Sequence, residues 1–163
     1  MLKRFAWALV CLAAVAAPDQ ITKAVVRAHF AHGESLEVIP GFFNLTYVLN
    51  KGAAFGFLNS ASIDWQTGFL MAVNVVAMGF IAWLVATAPR RWGLLVTGLG
   101  LIWGGALGNL IDRARLGMVT DFLDCYAGQW HWPAFNVADI GISVGAGLAL
   151  LSYLLHRHAS DSL

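Results

Sequence analysis

Four apolar runs, each close to the roughly 20 residues that an α-helix needs to cross a bilayer, constrain this chain more than any other feature. They extend from about Phe5 to Val26, Trp65 to Ala86, Trp92 to Ile111 and Val137 to Leu155. Since 59% of the 163 residues are hydrophobic and only 12% charged, a soluble globule is excluded, and residues 1–163 read as one integral membrane domain. The fold class expected is an all-α membrane protein with four transmembrane helices. Trp65, Trp92, Trp130 and Trp132 stand beside span ends, where amphipathic rings favour the headgroup region, whereas Trp103 falls mid-span and is expected to pack or to face acyl chains.

An even number of spans puts both termini on one side and both long loops on the other. Lys3, Arg4, Arg90, Arg91 and Arg157 mark the terminal side, and Lys23, Arg27, Lys51, Arg113 and Arg115 the opposite side, a tie of five against five. The terminal-side cations crowd into very short flanking segments, where the positive-inside bias is strongest, so both termini are expected in the cytoplasm. Lys3-Arg4, an apolar stretch and the small residues Ala14-Val15-Ala16 also mimic a cleavable secretory signal. Apolar character resumes after Pro18, however, and cleavage would leave three spans. The net charge of +1, with no basic run, gives no reason to expect a nucleic-acid partner. Cys11 lies inside the first run and Cys125 in the last long loop, so they are read as free thiols.

The first long loop carries Leu36-Glu37-Val38-Ile39 and Phe43-Asn44-Leu45-Thr46-Tyr47-Val48-Leu49 on either side of Pro40-Gly41. The alternation of Phe43, Leu45, Tyr47 and Leu49 predicts a small antiparallel sheet in this loop, with one face on the bilayer or the helices. Asn50-Lys51-Gly52-Ala53-Ala54-Phe55-Gly56 follows, either a plain glycine-rich turn or a place of close backbone approach with an amide to spare.

Polar residues inside or beside the runs are the candidates for function, because ionisable groups are costly at that depth. Gly100, Gly104 and Gly108 make a smooth stripe that lets another helix approach, and Gly105, Asn109 and Arg113 form the neighbouring stripe. Asn109 reads equally well as helix glue or as a working residue, and Arg113 as snorkelling. Asn136, Asp139 and Ser143 share a face of the fourth span, where Asn136 with Asp139 also fits a capping box. Asp19 and Lys23 form an i, i+4 pair beyond a kink expected at Pro18, which a structural latch near the outer interface would explain.

Taken in order, Asp19-Gln20-Ile21-Thr22-Lys23, Asn50 to Gly56, Gly104-Gly105-Ala106-Leu107-Gly108-Asn109-Leu110-Ile111-Asp112-Arg113, Val119-Thr120-Asp121-Phe122 and Phe135-Asn136-Val137-Ala138-Asp139 resemble the blocks of the bacterial lipoprotein signal peptidases, signal peptidase II. The resemblance spans nearly the whole chain. It implies an aspartic endopeptidase of the bacterial inner membrane that removes signal peptides from prolipoproteins, cutting before the diacylglyceryl-modified cysteine. It places the catalytic dyad on Asp121 and Asp139, and supporting residues on Asp19, Lys23, Asn50, Gly52, Gly105, Asn109, Arg113 and Asn136. It also implies lipidated prolipoprotein and membrane lipids as partners, an active site at the extracytoplasmic face, and no cofactor. Thr120 departs from the family pattern, where its position is often apolar.

The chemistry fits the residues independently. Amide hydrolysis needs an activated water and a proton for the leaving nitrogen, and two carboxyls sharing one proton supply both. The five histidines offer no zinc-binding spacing, so no metal is expected. Four helices with a covered site suffice as a monomer. The rival reading is a small proton- or ion-coupled transporter using intramembrane carboxylates, but its polar residues gather at one membrane face and no internal repeat is evident. A catalytically silent scaffold is a third reading, which the intact pair of aspartates disfavours.

Overall fold

A computed structural model of the chain describes residues 1–52, 65–89 and 92–160, with side chains up to His156. Ala53-Ala54-Phe55-Gly56, Arg90, Arg91 and the Arg157 side chain lie outside the described residues. The elements in order are α1 (Leu2–His29), β1 (Ser35–Ile39), β2 (Phe43–Asn50), α2 (Trp65–Thr87), α3 (Gly93–Leu116), β3 (Val119–Ala127), β4 (Trp130–His131) and α4 (Val137–Ser160). All four helices are long and apolar enough to cross a membrane.

Hydropathy locates the helices but not their ends, since helical hydrogen bonding continues after apolar composition stops. The run expected to end at Ile111 continues to Leu116, where Gly117 closes it in the left-handed conformation (φ 72°) and its N–H bonds to the Arg113 carbonyl at 3.0 Å. Asp112 and Arg113, expected in the loop or at its edge, therefore ride on α3. The first helix likewise extends beyond both expected ends, and it continues through Pro18.

α3 is the central helix and touches the other three. Its glycines decide how closely. A Cβ at Gly104 would sit 2.5 Å from the Leu12 carbonyl of α1, and one at Gly98 would sit 2.5 Å from the Gly145 carbonyl of α4. The stripe of Gly100, Gly104 and Gly108 thus faces α1, as expected, while Gly98 and Gly105 face α4. Ala8, Ile81, Val85, Ala88, Val96 and Leu99 form an apolar cluster joining α1, α2 and α3, with Trp103 packed against it. The outer face of α2 leaves Val73, Val76 and Phe80 exposed, as a lipid-facing surface requires.

The sheet is larger than its first-loop sequence suggests. β1 and β2 pair antiparallel as expected, around a turn in which Gly41 has φ 77°. β3, from the segment read as the last long loop, then pairs antiparallel with β2, and β4 with β3, giving the order β1-β2-β3-β4. Its sequence hid the strand, because Asp121 and Asp124 interrupt any apolar alternation. Phe43, Leu45, Tyr47 and Leu49, the residues of the expected apolar face, are each half-buried. Leu45 pairs with Leu123 and Val48 with Asp121, so β2 carries one extra residue there, and this bulge breaks the alternation and leaves Thr46 as the buried residue.

Close approach at Gly104 predicts a stability effect. Gly104→Val must push α1 away and should cost about 1–3 kcal/mol, lowering the thermal midpoint in detergent. Gly147→Ala, whose added carbon meets nothing within 4 Å, should leave the midpoint unchanged or raise it slightly. Equal midpoints for Gly104→Val and the parent protein would show that α1 and α3 are not held at this spacing.

Candidate active site

The site begins with a charge that has no water to solvate it. Asp19, Lys23 and Asp112 are almost wholly buried where α1 crosses α3. Lys23 Nζ lies 2.9 Å from Asp19 Oδ2 and 3.3 Å from Asp112 Oδ2, and it donates to Asn109 Oδ1 at 2.9 Å. An ammonium has three protons, and here each finds an oxygen. The expected Asp19–Lys23 pair is therefore real, is buried between the helices, and includes a second carboxylate. Asp19 Oδ1 reaches α4 as well, accepting the Ala138 N–H at 2.9 Å and so satisfying a donor that the first turn of a helix leaves open.

That first turn of α4 carries the next part. Asn136 Oδ1 accepts the Asp139 N–H at 3.0 Å while Asp139 Oδ2 accepts the Asn136 N–H at 3.2 Å, a reciprocal capping box. With its oxygen committed to the cap, the Asn136 amide must turn its nitrogen to acceptors, and Nδ2 donates to Asp121 Oδ1 at 2.7 Å. Asn109 is oriented in the same way, because its oxygen accepts from Lys23 and its nitrogen donates to Asp139 Oδ1 at 2.9 Å. Capping and glue are thus true of Asn136 and Asn109, and the same amides also hold the two carboxylates.

Asp121 comes from β3, directly beside the bulge in β2. Its Oδ2 accepts from Asn50 Nδ2 at 3.0 Å, and Asn50 Oδ1 accepts the Gly52 N–H at 2.8 Å. Gly52 has φ 99°, and a Cβ there would run into the Leu70 side chain and approach the Arg113 guanidinium. Burial pushes the Asp121 carboxyl up to about 6, the Asn50 and Asn136 hydrogen bonds oppose that rise, and the nearby charge of Asp139 adds to it.

Two cavities adjoin the cluster. A cavity of about 350 Å³ lies among α2, α3 and α4, with Asn74, Asn109 and Arg113 on an otherwise apolar wall. Asp139, Asp121 and Asp112 are the carboxylates acting on the Arg113 charge. A second cavity of about 280 Å³ is lined by Trp132, Phe135, Asp139, Ile140, Ser143 and Val144. Asp139 therefore sits at the edge of an apolar surface.

Asp121 is buried and Asp139 half-buried, and the oriented amides of Asn109 and Asn136 hold both. Residues 11–155 match the family described as Signal peptidase (SPase) II. The chain belongs to the signal peptidase II family. The lipoprotein signal peptidase of Maridesulfovibrio salexigens is 52% identical over 139 residues, covering 85% of this chain and 89% of that protein. That of Oleidesulfovibrio alaskensis is 46% identical over 157 residues, covering 96% of this chain and all of that one. A bacterial membrane enzyme solved by the in meso method at 2.3 Å resolution superposes with a TM-score of 0.80 at 28% identity, covering 92% of this chain and 88% of that structure. A multi-pass membrane protease is thereby established, and the transporter reading loses its support.

All ten residues singled out in the sequence converge on one region. Gly105 contributes by absence, since a Cβ there would collide with the Ala138 carbonyl and drive α4 from the site. Sequence reasoning missed Asp112, Gln20 and Arg27. Gln20 Nε2 donates to the Gly108 carbonyl at 3.0 Å, and Arg27 approaches Asp112 Oδ1 at 3.5 Å. Their signal was present, because Arg27 extends the i, i+4 stripe of Asp19 and Lys23, and Asp112 follows Asn109 by three.

Removing Lys23 should strand two buried carboxylates. Lys23→Met should destabilise by roughly 3–5 kcal/mol, and adding Asp19→Asn and Asp112→Asn to it should recover part of the loss. Thermal unfolding in detergent measures both, and a Lys23→Met protein as stable as its parent would contradict a charged Lys23.

Proposed function

We propose that this signal peptidase II is an aspartic endopeptidase that removes signal peptides from diacylglyceryl-modified prolipoproteins, with Asp121 and Asp139 as its dyad. The observation that carries the reading is the convergence of these two carboxylates, from separate elements, on the Asn109 and Asn136 amides. Burial keeps a proton on Asp121 above the usual carboxyl range. The ionised member takes a proton from water as its oxygen attacks the carbonyl carbon preceding the modified cysteine. The protonated member then gives its proton to the departing nitrogen, and the pair exchange roles. Arg113, which lines the cavity beside Asn109, supplies positive potential near the developing oxyanion.

The same reading assigns supporting roles to Asp19, Lys23, Asn50, Gly52, Gly105, Asn109, Arg113 and Asn136. It places both termini in the cytoplasm and the dyad at the extracytoplasmic face, and it makes residues 1–163 a single domain working as a monomer without cofactor. Substrate chemistry suits the surroundings of Asp139. Acyl chains contribute about 0.8 kcal/mol per buried methylene, and Trp132, Phe135, Ile140 and Val144 offer apolar surface beside the carboxylate.

A cleavage assay on purified protein tests both halves. Asp121→Asn and Asp139→Asn should each nearly abolish turnover while leaving the thermal midpoint close to that of the parent, and precursor lacking the lipid should be a very poor substrate. Near-normal turnover in either variant would end the aspartic mechanism, and equal cleavage of both precursors would point to a general signal peptidase.

The pH profile gives a second test. Rate should fall as the pair loses its shared proton, and because Asp121 is raised from 3.8 to about 6, this alkaline limb should lie well above an ordinary carboxyl. The Asn50 hydrogen bond favours the charged form, so Asn50→Ala should move the limb to still higher pH. A limb that shifts to lower pH would contradict the Asn50 contact.

A further inference from the structure

Thr120 has every polar atom engaged although it precedes a site residue on a strand whose ladder is interrupted. It is fully buried. Its N–H donates to Asp112 Oδ2 at 2.9 Å, its Oγ1 accepts from Arg27 Nη1 at 2.9 Å, and its carbonyl accepts from Asn136 Nδ2 at 3.4 Å. These partners come from α3, α1 and the start of α4. The bulge in β2 lies opposite β3 between Leu123 and Asp121, so sheet pairing alone holds Asp121 less firmly than a regular ladder would. Anchorage on the helix side has to make up the difference.

We propose that Arg27 and Thr120 are positioning residues for the reaction, a side-chain clamp through which α1 fixes the backbone that presents Asp121. The inference rests on the dyad reading above. Arg27 is the next member of the stripe of Asp19 and Lys23, and its side chain, about one-fifth exposed, places Nη1 between the Thr120 hydroxyl and Asp112 Oδ1. Lys23 and Arg27 together balance Asp19 and Asp112, two cations against two carboxylates. The buried Thr120 hydroxyl therefore has a specific partner in this chain. The two residues work as a pair, because removing one side of a buried hydrogen bond strands the other, whereas replacing both with apolar groups removes the need.

The clamp acts on geometry, so its loss should appear in kcat and not in substrate binding. Arg27→Met and Thr120→Val should each lower kcat by about tenfold on lipidated precursor, with KM within about twofold of the parent value. Thr120→Ser, which keeps the hydroxyl, should restore most of the rate. The double variant Arg27→Met/Thr120→Val should be faster than the product of the two single effects predicts. Asp121→Asn runs alongside as the control. If it is inactive while Arg27→Met and Thr120→Val keep the parent kcat, the clamp is wrong and the dyad stands. If Asp121→Asn itself turns over normally, the dyad reading fails and takes the clamp with it. Should Thr120→Val not fold, the comparison of Arg27→Met with Thr120→Ser still decides, since parent-like kcat in Arg27→Met overturns the proposal.

Discussion

The ammonium of Lys23 is the interaction on which the rest of the structure depends. An ion of this size in an apolar interior is tolerated only when its partners are fixed in advance, and effective desolvation costs of several kcal/mol per ion leave no slack in that requirement. Asp19, Asp112 and Asn109 meet it from two helices, so the crossing of α1 and α3 has one favourable register. The consequence passes outward through hydrogen bonds of fixed direction. Because Lys23 can only donate, the Asn109 oxygen must face it and the Asn109 nitrogen must face away, toward Asp139. A structural ion pair thus sets the orientation of an amide that touches a candidate catalytic group.

Such an arrangement needs backbones closer than side chains normally permit. The glycines of α3 provide this on two faces at once, toward α1 at Gly100 and Gly104 and toward α4 at Gly98 and Gly105. Gly108 serves the polar cluster directly, since a Cβ there would lie 2.5 Å from the Asp19 carboxylate. Small residues in membrane helices are often discussed as packing devices. Here the same closeness brings Asp19 of α1 within 2.9 Å of the Ala138 N–H of α4 and joins three helices at one point.

Much of this was legible in the sequence, for reasons that differ by element. The helices were legible because bilayer thickness imposes a length, and the glycine stripes because four-residue spacing maps onto one helix face. The site residues were legible chiefly through their ordered blocks, since Asn109, Asn136 and the Asp19–Lys23 pair each had an adequate structural explanation alone. Those explanations proved correct and incomplete together. What stayed hidden was long-range pairing. Nothing local to Val119–Ala127 announces a strand, because its buried positions include Thr120, Asp121 and Asp124, whose burial is permitted by partners elsewhere in the chain. Asp112 was hidden for a related reason, as hydropathy closes the third span just before it while the helix continues.

Asn136 divides its amide between two tasks, and the division has a mechanical consequence. Its oxygen belongs to the cap of α4 and its nitrogen to Asp121, so the first turn of that helix and the strand that carries the other aspartate share one rigid link. Separating the carboxylates to admit a bulky chain would unwind a helix end that is also tied to α1 through Asp19. The hairpin of β1 and β2 reaches the Asp121 carboxylate through the amide of Asn50 and the Asp121 backbone through the pairing of β2 with β3. The two carboxylates are therefore mechanically coupled, and a shift of either the strand or the helix end is felt by both through one side chain.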